Sequence, residues 1–202
     1  MKRSFFILVL AVLTLMSCAA PQVGVKAGVN MSRVSGDDAD SFDSRTGLNV
    51  GLVAKTKVSD DFDVQTGLIF SQQGADYGES MYTGEYNLDY LNVPIMARFG
   101  IAEGLKLQAG PQLGFLLSAT DKFNFDGGSG EEDVKDFTKS IDFGVNFGLG
   151  YEFQNGFGID ATYNLGLSNF ADGDELSDVS WKHSIIQISL SYLFDIGGSN
   201  NN

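Results

Sequence analysis

Four cations, Lys26, Lys55, Arg98 and Lys106, and three anions, Asp63, Glu152 and Asp160, occupy the polar phase of segments that otherwise alternate apolar and polar residues. All seven fall toward the end of the sheet where the short connections lie. Extended backbone sends successive side chains to opposite faces, so these charges share one face and need water or partners. Inside a narrow closed sheet, whose interior is just wide enough for side chains, they would form a salt-bridged plug. In a wider one they would line a polar conduit for a small solute.

His183, the only histidine, stands beside Ser184. A histidine and a serine could supply the base and nucleophile of acyl transfer. Neighbours in a strand point to opposite faces, however, so these two cannot pair with each other. A serine from another strand and an acid such as Asp178 would have to be recruited, and no residue marks such a serine. The reading is therefore non-enzymatic, with no cofactor.

Carboxylates cluster at Asp37, Asp38, Asp40 and Asp43, at Glu131, Glu132, Asp133 and Asp136, and at Asp172, Asp174, Glu175 and Asp178. None of these runs has the spaced ligands and terminal Glu of a calcium loop. They read as solvated acidic loops, with diffuse bridging by divalent cations as the functional alternative.

The element that must position such residues is clearest between Ile141 and Leu167. Ile141, Phe143, Val145, Phe147, Leu149, Tyr151 and Phe153 alternate with Asp142, Gly144, Asn146, Gly148, Gly150 and Glu152. After Gln154-Asn155-Gly156 the alternation resumes through Phe157, Ile159, Ala161, Tyr163, Leu165 and Leu167. This is a β-hairpin with a tight turn, and each arm has about the 9–11 residues that cross a bilayer as a strand. The small polar face suits a lumen better than a water-facing surface.

The same alternation marks strands at about 22–32, 46–58, 62–71, 86–99, 105–119 and 181–194, eight in all with the hairpin arms. Long connections at 33–44, 73–85, 120–140 and 168–180 alternate with short ones at 59–61, 101–104 and 154–156. An antiparallel meander then puts every long loop at one end. Pro94 lacks a ladder donor, which predicts a bulge or irregular pairing in its strand. Aromatics fall in two groups, Tyr77, Tyr82, Tyr86, Phe123, Phe125, Phe137 and Trp181 toward the long loops, and Phe62, Phe99, Tyr151, Phe153, Phe157, Tyr192 and Phe194 toward the short turns. Two such groups match interfacial girdles, although loop-against-loop packing would place some of them equally well.

Residues 1–19 read as a secretory signal, with Lys2 and Arg3 ahead of an apolar run from Phe5 to Met16. Cleavage after Ala19 and lipidation at Cys18 are both consistent with the small residues that follow. Cys18 is the only cysteine, so no intrachain disulfide can form. Loss of the leader takes the formal net charge from −13 to −15, which argues against a nucleic-acid partner. Residues 20–195 would form the barrel and 196–202 a short polar tail.

Val25-Lys26-Ala27-Gly28-Val29-Asn30, Tyr90-Leu91-Asn92-Val93-Pro94-Ile95, Ala109-Gly110-Pro111-Gln112-Leu113-Gly114 and Phe147-Gly148-Leu149-Gly150-Tyr151-Glu152 together resemble the PorT-like outer-membrane β-barrel domain family. The last strand, ending at Phe194, also resembles the C-terminal signal read by the barrel insertion machinery, except that Asp195 to Asn202 follow it. The resemblance implies an all-β, eight-stranded antiparallel up-and-down transmembrane barrel in the outer membrane of Gram-negative bacteria. It implies no single activity.

The expected role is structural or surface-interacting, through acidic external loops above a filled lumen. Outer-membrane lipids and lipopolysaccharide would be the partners. A narrow porin-like channel is the first alternative. A soluble periplasmic lipocalin-like ligand-binding barrel, with its apolar face turned inward, is the alternative of another class.

Overall fold

The computed structural model describes residues 21–36, 39, 42–79, 82–171 and 180–195. The proposed signal, Cys18 with its two processing routes, the polar tail, and Asp37, Asp38, Asp40, Asp172, Asp174, Glu175 and Asp178 lie outside them. Among the described residues no helix is long and apolar enough to cross a membrane.

Alternation governs the strands that form: β1 (Gln22–Ser35), β2 (Phe42–Lys57), β3 (Phe62–Glu79), β4 (Tyr82–Ala102), β5 (Leu105–Phe125), β6 (Gly128–Asp133), β7 (Ile141–Glu152), β8 (Phe157–Gly166) and β9 (Lys182–Asp195). Each pairs antiparallel with its neighbours. β1 pairs with both β2 and β9, and β4 with β5, so eight strands close into a ring. The ninth strand, β6, lies outside the ring and pairs only with the outer end of β5.

The strand boundaries differ from expectation at the long-loop end. The stretches 73–79, 82–85 and most of 120–133 are not loops but continue the sheet, and only then does the chain leave it, through a 3-10 turn at Lys135–Phe137. β3 and β4 pair as far as Glu79 with Tyr82, and β5 runs on to Phe125 before turning into β6. With 21 residues each, β4 and β5 are about 70 Å long at roughly 3.3 Å per residue, nearly twice the length of an 11-residue crossing. Their outer parts therefore project well beyond a bilayer.

Pro94 causes no bulge, but the pairing beside it is irregular. The β3 ladder skips the stretch across from Val93 and Pro94 but resumes in unchanged register, and Thr66 Oγ1 donates to the Pro94 carbonyl at 2.8 Å. The register shifts in β4–β5 come instead between Asp89 and Tyr90, where Leu117 is the extra residue, and between Gly100 and Ala102 beside the turn.

The apolar set faces outward. Leu48, Val50, Leu52, Leu68, Leu107, Phe147, Leu149 and Leu190 are all exposed, Leu52 at 62%. Asn30, Asn49, Asn92, Asn146, Asn164 and Arg98 are buried inside. A soluble lipocalin-like barrel would have these faces reversed. At the short-turn rim, Phe62 stacks on Phe99 at 4.6 Å, Tyr151 meets Phe153 at 4.9 Å, and Tyr192 contacts Phe157 and Phe194 at 4.7 Å each. That group is an interfacial girdle. The outer aromatics behave differently. Trp181 packs on Phe42 at 5.3 Å and on Tyr86 at 6.5 Å, and Tyr77 on Tyr86 at 5.2 Å, so these pack together within the projection.

Candidate functional site

Seven of the eight ring strands each deliver one charge to the inner half of the lumen: Lys26 from β1, Lys55 from β2, Asp63 from β3, Arg98 from β4, Lys106 from β5, Glu152 from β7 and Asp160 from β8. Five of them form one chain of ion pairs. Lys26 Nζ lies 3.0 Å from Asp160 Oδ2, Arg98 Nη2 is 3.2 Å from Asp160 Oδ1, Arg98 Nη1 is 2.6 Å from Glu152 Oε1, and Lys55 Nζ is 2.8 Å from Glu152 Oε2. Lys106 and Asp63 make a separate pair at 2.9 Å.

Two residues that the sequence reading did not single out complete this cluster. Gln65 Oε1 accepts from Arg98 at 2.7 Å, and Gln108 Nε2 donates to Asp160 at 3.1 Å. The arrangement depends on Gly150. In register it lies between Lys106 on β5 and Asp160 on β8, and a Cβ there would come 2.5 Å from both Arg98 Nη2 and Asp160 Oδ1. Its missing side chain lets a guanidinium on β4 reach a carboxylate three strands away.

Above these charges the lumen is amide-rich, with one further buried carboxylate, Asp142, which accepts from Ser168 Oγ at 2.6 Å. Asn49 donates to Asn30 at 2.7 Å, Asn30 to Ser71 at 2.9 Å, Asn164 to Asn146 at 2.9 Å and Asn146 to Gln112 at 2.9 Å. An internal cavity of about 30 Å³ remains, lined by polar groups such as Lys26, Asn49, Gln65 and Gln108 and by the apolar Val53, Ile69 and Met96. That holds a water or two.

The outer mouth is apolar, which the sequence reading did not anticipate. Val34, Ala75, Leu88, Tyr90, Leu116, Ala119 and Phe170 form a buried cluster, with Phe42, Val134 and Trp181 against it. The chain crosses here. Lys139 N–H donates to the Phe170 carbonyl, Phe170 N–H to the Trp181 carbonyl, and Thr138 pairs with Ala171. The signal was present, because Val34, Leu88, Tyr90, Leu116 and Ile185 all have the inward parity of their strands. It is the point at which the inward row changes from amides to hydrocarbons.

His183 belongs to this mouth. Its ring is fully buried, stacks on Phe170 at 4.4 Å and lies 3.4 Å from the Tyr90 hydroxyl. Ser184 turns the other way, with its Oγ 2.7 Å from the Tyr163 hydroxyl. The two do not meet. Among the described residues no group of three His, Cys, Asp or Glu could hold a metal ion.

On the projection, Tyr77 donates to Asp121 Oδ1 at 2.7 Å, and burial together with that carboxylate pushes its phenol up, so it stays a donor. Arg45 bridges Glu85 at 3.3 Å and Asp76 at 3.9 Å. Glu131, Glu132 and Asp133 on β6 are exposed.

A lipid-facing apolar surface, a polar closed interior and an eight-stranded meander define a transmembrane β-barrel. Residues 20–172 match the outer membrane protein beta-barrel domain family, and the chain belongs to that family as an integral outer-membrane protein. No curated protein sequence matches it. Among solved structures it is similar to Ail, the attachment invasion locus protein of Yersinia pestis, with 20% identity, a TM-score of 0.53, and 86% of this chain and 98% of that one covered. It is also similar to Neisserial surface protein A, with 13% identity, a TM-score of 0.54, and coverage of 85% and 97%. These likenesses establish the fold.

Proposed function

We propose that this barrel is a non-enzymatic, non-conducting outer-membrane protein whose lumen is filled and whose projecting acidic hairpins make contacts at the cell surface. The observation that carries the reading is the ion-pair chain from Lys26 through Asp160, Arg98 and Glu152 to Lys55, which crosses the lumen. A buried pair broken on one side leaves an uncompensated charge, so the cluster resists opening. The apolar mouth is a second barrier to ions.

The surface role is supported by the length of β4 and β5 beyond the bilayer and by the carboxylates on them, on β6 and in the turn between β5 and β6: Glu85, Asp121, Asp126, Glu131, Glu132 and Asp133. Divalent cations bridging them to lipopolysaccharide phosphates fit this chemistry. Ail has been crystallised with the heparin analogue sucrose octasulfate, but an acidic projection repels a polysulfate, so that ligand is not carried over. Within the family, a PorT-like affiliation fits the motifs around Asn30, Pro94, Pro111 and Gly150.

Proteoliposomes test both parts. Vesicles carrying the refolded barrel should not swell in isosmotic small sugars, and should associate with lipopolysaccharide vesicles in a Mg²⁺-dependent way that Glu131→Lys with Glu132→Lys removes. Swelling would overturn the filled lumen. Association that ignores Mg²⁺ and these substitutions would overturn the acidic contact.

A further inference from the structure

The outer mouth contains a cavity of about 160 Å³ that the apolar cluster does not fill. Phe42, Tyr86, Leu88, Val134, Phe170 and Trp181 form most of its wall, and no charged residue lines it. An engineered apolar cavity of about 150 Å³ in another protein stays dry and binds benzene, so this one has the volume of a single aromatic ring. Its walls suit one. Phe42 stands at 82° to Trp181 and Phe170 at 42°, leaving faces and edges available for offset or edge-on contact with a ring.

The polar group here is specific. The Trp181 Nε1–H is buried and has no acceptor, and indole nitrogen can only donate. The Thr138 hydroxyl, the other polar side chain beside Tyr86, already donates to the Val134 carbonyl at 3.0 Å. A buried donor without a partner is an uncommon feature, and an acceptor on a ring occupying the cavity would satisfy it. A charged ligand would lose its hydration against uncharged walls.

We propose that the outer mouth is a binding site for a small uncharged aromatic molecule of one ring bearing a hydrogen-bond acceptor, received by Trp181. The site lies at the outer end of the barrel and does not depend on the charged half of the lumen.

Trp181 is the only tryptophan, so its emission reports on this wall alone. The refolded full chain is titrated with 4-bromoacetophenone, a heavy-atom quencher with a carbonyl acceptor, at two detergent concentrations. Saturable quenching is expected, with 4-bromotoluene, which lacks the acceptor, binding about fivefold more weakly for one lost hydrogen bond. Val134→Phe and Ala171→Leu, each adding bulk at the wall, should abolish the saturable part while the heat-modifiable gel shift is kept. Quenching that rises linearly with ligand, scales with detergent and is unchanged in both variants overturns the proposal. Should neither variant fold, equal binding of the two ligands to the native chain overturns it as well.

Discussion

Arg98 Nη1 donates to Glu152 Oε1 at 2.6 Å across the lumen, from near the inner end of β4 to the last residue of β7. The other arm of the same guanidinium meets Asp160. Removing Arg98 therefore strips a cation from two carboxylates at once, although Lys55 and Lys26 still face them. Arg98→Ala should lower the unfolding free energy in urea, measured on the barrel refolded into lipid, by about 3 kcal/mol. Combining Arg98→Met with Glu152→Gln and Asp160→Asn should recover much of that loss, because no unpaired anion is then left buried.

Gly150 makes the crossing possible, and its replacement tests the geometry more finely. Gly150→Ala places a methyl against Arg98 and Asp160 and should cost about 1–3 kcal/mol as overpacking. At Gly100 the nearest groups to an added Cβ are at 3.6 Å, an ordinary contact, so Gly100→Ala should stay within about 0.5 kcal/mol. Equal urea midpoints for the two variants would separate Gly150 from the ion-pair cluster.

The lipid-facing belt makes its own prediction. Val50 is 52% exposed on the outer face of β2, where its surroundings are hydrocarbon rather than water. Val50→Arg should destabilise the barrel by about 2–4 kcal/mol in bilayers. A soluble protein would tolerate the same surface change with little effect.

The mouth behaves as an ordinary apolar core. Leu88 is nearly fully buried within it, and Leu88→Ala should cost about 2–5 kcal/mol while enlarging the cavity beside Trp181. Tryptophan emission shifted to the red, with the urea midpoint lowered, would register both effects.

These contrasts show what the chain discloses without a structure. Strict alternation from Ile141 to Leu167 fixes strands, turn and facing, and the inward parity of Lys26, Arg98 and Asp160 brings them to one end of the lumen. Parity does not reveal which carboxylate Arg98 reaches, because that depends on the shear of the ring and on a glycine two strands away from it. The projection was harder to read. Between Gln73 and Glu85 the alternation is broken by Gly74 and Gly78, both at positive φ, and the polar and aromatic residues around them resemble a loop. The apolar mouth escaped notice because a period-two reading asks which face a residue occupies, and Leu88 and Tyr90 answer correctly while changing the chemistry of that face.

Conductance of the refolded barrel in planar lipid bilayers tests the filled lumen most directly. With the ion-pair chain below and the apolar mouth above, the native protein should show no stable current steps in molar KCl, where exposed charges are screened but buried pairs persist. Reproducible unitary steps from the native chain, at protein amounts that leave the bilayer otherwise quiet, would contradict the plug and establish a pore.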